Sequence, residues 1–299
     1  MEILYTPAQH FYYGLNRIHP VALNALEGDA SPVPSAGLLL TLSRLMRRIE
    51  AEAIDPLTKR VNYPILATLP AYAEYRALVP ALATFDLALL TTPAQRFAFW
   101  VNLYNLLMLD VVIQKRIQTS VQTLQGVFFS HGYWVGGCFF SLNDIEQGIL
   151  RANRGYPALP GGQFLRTDPR YALTLPTLDA HLHFALNCAS ESCPPIAFYS
   201  AENLESQLTL ATQNFINSTD IDLDAQHHTA QLSKIFQWYA PDFGASFAVT
   251  LGFGDASPLL VWISDYLLDT DWAKYVKVNA KRFRVSFRPY NWALNQTPT

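Results

Sequence analysis

The sequence predicts an α+β protein in which a helical N-terminal layer packs on a small, mostly antiparallel sheet. Three observations predict it. Helical apolar spacing broken by Pro and Gly fills the first ninety residues, one long apolar helix pattern follows, and short β-prone runs begin near residue 133.

Residues 10 to 27, 36 to 53 and 68 to 89 read as helices, separated by "GDASPVPSAG" and by "DPLTKRVNYP". Next, "TTPAQRFAFWVNLYNLLMLDVVIQKRI" offers Thr92 as N-cap and Pro93 at the first helical position. It ends in Lys115 and Arg116, cations suited to a helix C-terminus. "YWVGGCFFSL" is two β-prone runs around Gly136-Gly137, the composition of a tight hairpin turn. Asn143 or Asp144 can then cap a short helix in "NDIEQGILR".

"LHFALNC" is ambiguous by period and is read as a buried strand. "SAENLESQLTLATQNFIN" reads as a helix capped by Ser200. A strand near 229 to 235, helices near 234 to 241 and 256 to 268, and a last strand "RFRVSFRPY" complete the chain. No Gly/Ser linker or repeat marks a boundary, so a helical extension over 1–69 and a core over 70–299 are expected to form one unit.

Half of the 299 residues are apolar and only 15% are charged, so much of the chain must be buried. A net charge of −3 without a Lys/Arg block argues against a nucleic-acid surface. The 17-residue run "FAFWVNLYNLLMLDVVI" holds two Asn and one Asp, too short and too polar for a comfortable membrane span. The N-terminus lacks a basic region followed by an apolar one. The cytoplasm is therefore the default compartment, and export the alternative if a leader had been trimmed away.

Three cysteines are too few for a disulfide scaffold. Two of them, Cys188 and Cys193, stand in "HFALNCASESCPPI" with His183 and Asn187. On a strand His183 and Asn187 share one face and Cys188 takes the other, so sulfur and imidazole meet only if the chain turns just past Asn187. A thiol nucleophile needs a neighbouring imidazole, helix N-terminus or cation to lower its pKa. Either cysteine qualifies, with Glu146 or Asn187 orienting the ring. Three other readings stay open: a metal site including His181 and His183, a Cys188–Cys193 disulfide, and a packed corner whose polar groups are satisfied.

"FWVNLYNLL" places Asn102 and Asn105 three apart on one side of an otherwise apolar helix, with Trp100 and Tyr104 as a neighbouring ridge. Buried amides need partners, and the irregular "NCASESCPP" segment has backbone groups to offer. Polar clamping is the structural reading and a cleft wall the functional one.

Together "FWVNLYNLLML", "SLNDIEQGILR", "LDAHLHFALNCASESCPP" and "YNWALN" resemble the domain of unknown function 547 family over roughly residues 70 to 296. The family's motif residues match Trp100, Asn102, Tyr104, Asn105, Glu146, Arg151, His183, Cys188 and Cys193. The resemblance implies no established activity. This chain departs from the pattern at Gln147 (His in relatives), Ala180-His181 (Pro-Arg), Ala189 (Gly) and Asn291 (Asp). The order of helix and strands is broadly similar to papain and transglutaminase architecture. A standard member of that superfamily is excluded, because the core helix carries Asn102 and no cysteine.

The leading expectation is a thiol-dependent hydrolase or acyltransferase acting on an amide or thioester. Cys188 or Cys193 would attack, His183 would move the proton, and Glu146 or Asn187 would orient it. Trp100, Asn102, Tyr104, Asn105 and Arg151 would bind substrate. The alternatives are a non-catalytic module for a peptide or small ligand and, second, a metal-binding protein. No cofactor is expected.

Overall fold

A 22-residue helix at the centre of the molecule organises everything around it. The computed structural model describes residues 14, 19–25, 34–58, 60–157 and 161–298. The helix expected at 10 to 27 falls largely outside them, and within them Val21–Ala22 is a short strand, β1.

The N-terminal layer comprises α1 (Ser35–Ala53), α2 (Tyr63–Thr68) and α3 (Pro70–Leu78), followed by 3₁₀ turns at Val79–Thr84 and Leu87–Leu89. Helix α2 begins in the last two residues of the stretch read as a loop, "DPLTKRVNYP", and runs to the start of the next expected helix. Asn62 caps it by accepting from the Ile65 amide, and Pro64 is accommodated near its start, where no helical donor is lost.

The central helix, α4 (Pro93–Gln114), starts at a capping box: the Thr92 side chain accepts from the Gln95 amide while the Gln95 side chain reaches back to the Thr92 amide. Every residue from Phe97 to Val112 is buried. By length and composition α4 could cross a bilayer, yet 89% of its most apolar window is covered by the rest of the protein. Its buried carboxylate, Asp110, accepts from Tyr72 (2.6 Å), Tyr133 (2.7 Å) and Arg76 (2.5 Å). This network fastens α3 and the first sheet to the central helix.

Among the described residues, two three-stranded sheets flank the helices, and each is mixed. In the first, β2 (His131–Val135) pairs antiparallel with β3 (Cys138–Ser141) and parallel with β1. In the second, β5 (Thr229–Leu232) pairs antiparallel with β4 (Asp222–Asp224) and parallel with β6 (Arg284–Phe287). The α+β class is as expected, with the sheet built as two small mixed ones rather than one mostly antiparallel one. Each parallel partner arrives from far along the chain, and composition signals only hairpins between sequence neighbours. The expected hairpin turn is present, with Gly136 and Gly137 both at positive φ (54° and 81°), as a tight turn of this kind requires.

The remaining helices include the four-residue α5 (Val127–Ser130), α6 (Leu204–Ile216), α7 (Lys234–Trp238) and α8 (Phe247–Thr250), with α9 (Ser257–Ser264) and α10 (Thr270–Asn279) after them. Helix α6 starts later than expected, at Leu204, with Asn203 rather than Ser200 at the N-cap position.

Among the described residues, apolar side chains form two clusters. The first surrounds α4 and joins residues on both sides of the expected boundary at 69/70, from Leu38 to Leu294. The second gathers Phe215, Phe236, Phe243 and Leu260 under the second sheet. The segment "AHLHF" joins them, and it is not the expected strand but a 3₁₀ turn, Ala180–Phe184. A three-residue repeat sends Leu182 and Ala185 into the first cluster and Phe184 into the second, an arrangement that two-residue alternation does not give. Asp179 caps the turn by accepting from the His181 amide.

Candidate functional site

A cavity of about 350 Å³ lies between the two clusters. Tyr104 and Leu186 line it from the first, Ile235 and Tyr239 from the second, and Cys188, Cys193 and Trp238 also border it. Glu146, His183, Tyr290 and Trp292 also face it.

Glu146 is placed by a π-helix, Asp144–Leu150, in which the Arg151 amide donates to the Glu146 carbonyl five residues back (2.8 Å). Asp144 anchors the start of this helix, accepting from the Ser141 amide (3.0 Å) and from Gln163 (2.8 Å), with Arg170 3.2 Å away. The half-buried Glu146 carboxylate accepts from the Tyr239 hydroxyl (2.5 Å) and more weakly from Tyr104 (3.4 Å). Burial pushes both phenols well above their ordinary pKa, so each keeps its proton and acts as donor.

His183 is held from behind. Its Nε2 lies 2.8 Å from Asp242, whose carboxylate also accepts two hydrogen bonds from Arg151 (2.6 and 2.9 Å). The imidazole stacks on Tyr239 with 4.0 Å between centroids. Burial lowers the His183 pKa, and the hydrogen bond and charge of Asp242 only partly offset it. Burial alone would raise Asp242, but His183 and Arg151 outweigh it and hold that carboxyl well below its usual range. The resting arrangement is a neutral imidazole donating to a carboxylate that is paired with a guanidinium.

The cysteine loop is fixed by two asparagines. Asn105 donates to the carbonyls of Ala185 and Ala197 (3.0 Å each) and accepts from the Asn187 amide (2.9 Å). Asn187 in turn accepts from the Ala189 amide and donates to the Pro194 carbonyl (2.8 Å each). The chain does turn past Asn187, with Ala189 in the left-handed region at φ 61°. Cys188 and Cys193 are bonded to each other as a disulfide, with their Cα atoms 6.2 Å apart. The Tyr290 hydroxyl lies 3.2 and 3.1 Å from the two sulfurs. The third cysteine, Cys138, is free and sits in β3.

Of the residues singled out from sequence, Tyr104, Glu146, His183, Cys188 and Cys193 meet in the cavity. The others do not. Trp100 is buried against Phe99 and Phe140. Asn102 exchanges two hydrogen bonds with the Tyr199 backbone and borders a separate cavity of about 220 Å³. Asn105 and Asn187 are loop clamps, and Arg151 is spent on Asp242, Gln147 and the Gly155 carbonyl. The group that orients His183 is thus Asp242, not Glu146 or Asn187.

Sequence reading missed Asp242, Tyr239 and Trp238, which come from "WYAPDFG", a stretch whose Pro and Gly announce only a turn. Tyr290 and Trp292 belong to the quoted "YNWALN" but were not singled out. His181 bonds Asp179 and Tyr266, and among the described residues no group of three His, Cys, Asp or Glu side chains could hold a metal ion. Asn291 accepts from the Ala293 amide (3.0 Å), a turn contact that an Asp side chain would make equally well.

Residues 88–216 match the family model of DUF547, a protein family of unknown function. The matched segment is narrower than the 70 to 296 expected. It carries α4, the first hairpin, the π-helix, His183 and the disulfide loop. Asp242, Trp238, Tyr239, Tyr290 and Trp292 lie beyond it, so the DUF547 segment supplies one wall of the cavity and the C-terminal third supplies the other. No curated protein and no solved structure matches the chain.

Proposed function

We propose that the chain is a binding module for a small molecule and that the cavity is its site. One observation carries this reading. Both sulfurs in the cavity wall are consumed in one bond, and His183 is engaged by Asp242, which leaves a formed hollow, rich in aromatic side chains, without a free thiol among its described lining residues. The hollow falls in the size range of small-ligand sites, roughly 300–1,000 Å³. Disulfides persist in oxidising compartments, which favours export over the cytoplasm.

Thiol-dependent acyl transfer is the second reading, favoured by the His183–Asp242 pair. An imidazole oriented by a buried carboxylate, lining the same cavity as two sulfurs, supplies the parts of a nucleophilic site once the disulfide is reduced.

Two measurements separate them. Tryptophan fluorescence from Trp238 and Trp292, read against a library of small molecules, should show saturable ligands that Thr250→Trp, which adds bulk at a cavity-lining position, no longer binds. Reduced protein mixed with an activated thioester should form no acyl-enzyme. A stoichiometric acyl adduct on Cys188 or Cys193, lost in His183→Ala, would replace the binding reading with the catalytic one.

A further inference from the structure

The Glu146 carboxyl forms no ion pair among the described residues; Arg151, itself paired with Asp242, acts on it only from farther off. Charged side chains that are withdrawn from water normally sit beside an opposite charge, because a lone ion loses its hydration with nothing in return. The carboxylates of this chain that are fully buried follow the rule, Asp110 with Arg76, Asp242 with Arg151 and Asp168 with Arg170, whereas Glu146 is half-buried. Glu146 has no basic group within ion-pair distance among the described residues, and its two partners are phenol hydroxyls. A carboxylate offers about four lone-pair directions, so two hydroxyl donors leave room for another donor.

The surroundings suit a positive charge. Among the described residues that line the cavity, Glu146 and His183 are the ionisable groups other than phenols, and burial keeps His183 neutral. Trp238, Tyr290 and Trp292 form a wall of three mutually packed rings, with centroids 4.8 Å (Trp238–Tyr290), 4.6 Å (Tyr290–Trp292) and 5.9 Å (Trp238–Trp292) apart. Ring faces attract cations within about 6 Å.

We infer that the cavity takes a small organic cation, an amine or quaternary ammonium with an apolar body, whose charge is met by Glu146 and whose body lies against the aromatic wall. The inference rests on the binding reading above and names its ligand class. Tyr239 and Tyr104 are positioning residues here, fixing the carboxylate so that it need not reorganise when the cation arrives. A free amine and the ammonium headgroup of a larger molecule share this chemistry.

The test compares isosteres on the intact protein by tryptophan fluorescence and calorimetry: phenethylammonium, the neutral phenethyl alcohol and the anion phenylacetate, with tetramethylammonium and choline as quaternary probes. Phenethylammonium should bind at least tenfold more tightly than the alcohol, and phenylacetate should be weakest. Choline outcompeting phenethylammonium would point to a headgroup as the source, and the reverse to a free amine. Glu146→Gln should erase the tenfold preference for phenethylammonium over the alcohol, with thermal unfolding confirming that the variant folds; a preference that survives in the folded variant overturns the assignment to Glu146. Equal or tighter binding of the alcohol or the anion to the unaltered protein overturns the cation inference and leaves the binding reading standing. Failure of every probe up to millimolar concentration overturns both.

Discussion

The imidazole of His183 and the carboxylate of Asp242, fifty-nine positions apart in the chain, meet at 2.8 Å in a spot that solvent does not reach. Arg151 closes the same carboxylate from the other side. Removing Asp242 leaves a buried guanidinium without its counter-ion, a loss of roughly 3–5 kcal/mol. Asp242→Ala should therefore lower the urea midpoint sharply. The double variant Arg151→Met/Asp242→Leu should recover most of that loss, because it removes both charges together.

Asn105 holds three backbone groups of the loop that bears the disulfide, whereas Asn102 holds two of the Tyr199 segment. Each buried group left unsatisfied costs about 1–3 kcal/mol. Asn105→Ala is expected to destabilise by about 3 kcal/mol or more, and Asn102→Ala by less. Hydrogen exchange should show the larger effect of Asn105→Ala at residues 185 to 197.

Stability should fall on mild acidification. His131 is buried beside Ser130, and burial, with Lys115 nearby, lowers its pKa from 6.5 to about 4. His183 shifts in the same direction. The unfolded chain then binds more protons than the native one below pH 6.5, so stability declines from there toward pH 4. His131 accounts for on the order of 2–3 kcal/mol of that decline. Denaturant titrations across this range should show the slope, and His131→Gln should flatten it.

The parts of the fold that were legible in the sequence are those set by local rules. Thr92-Pro93 and the Gly136-Gly137 turn each carry their signal within a few residues, and both stand where they were expected. Glu146, His183 and the two cysteines were legible as chemistry, and they do share a cavity. What escaped depends on distant segments: the strand β1, the parallel pairing of the expected last strand β6, the Asp242 behind His183, and the aromatic wall from 290 to 292. The 3₁₀ turn at Ala180–Phe184 escaped for another reason. Its side chains serve two cores at once, and an apolar run read alone cannot reveal a second core.

Ala189 occupies a backbone conformation suited to glycine, φ 61°, directly after the bridged Cys188. The Cβ is disfavoured there. Ala189→Gly is expected to raise stability by roughly 0.5–1 kcal/mol, measured as a higher midpoint at unchanged denaturant slope.

The π-helix at 144–150 makes the pocket sensitive to chain length. Two of its hydrogen bonds reach back five residues, from Arg151 to Glu146 and from Asn153 to Gly148, so the segment holds one residue more per turn than an α-helix needs. Deleting a single residue from this stretch would let it relax into ordinary α-helical form and swing Glu146 to a different bearing. A one-codon deletion is thus an evolutionary route by which a relative could keep the scaffold and lose the cavity's charge, and the engineered deletion should fold with that carboxylate turned away from Tyr239.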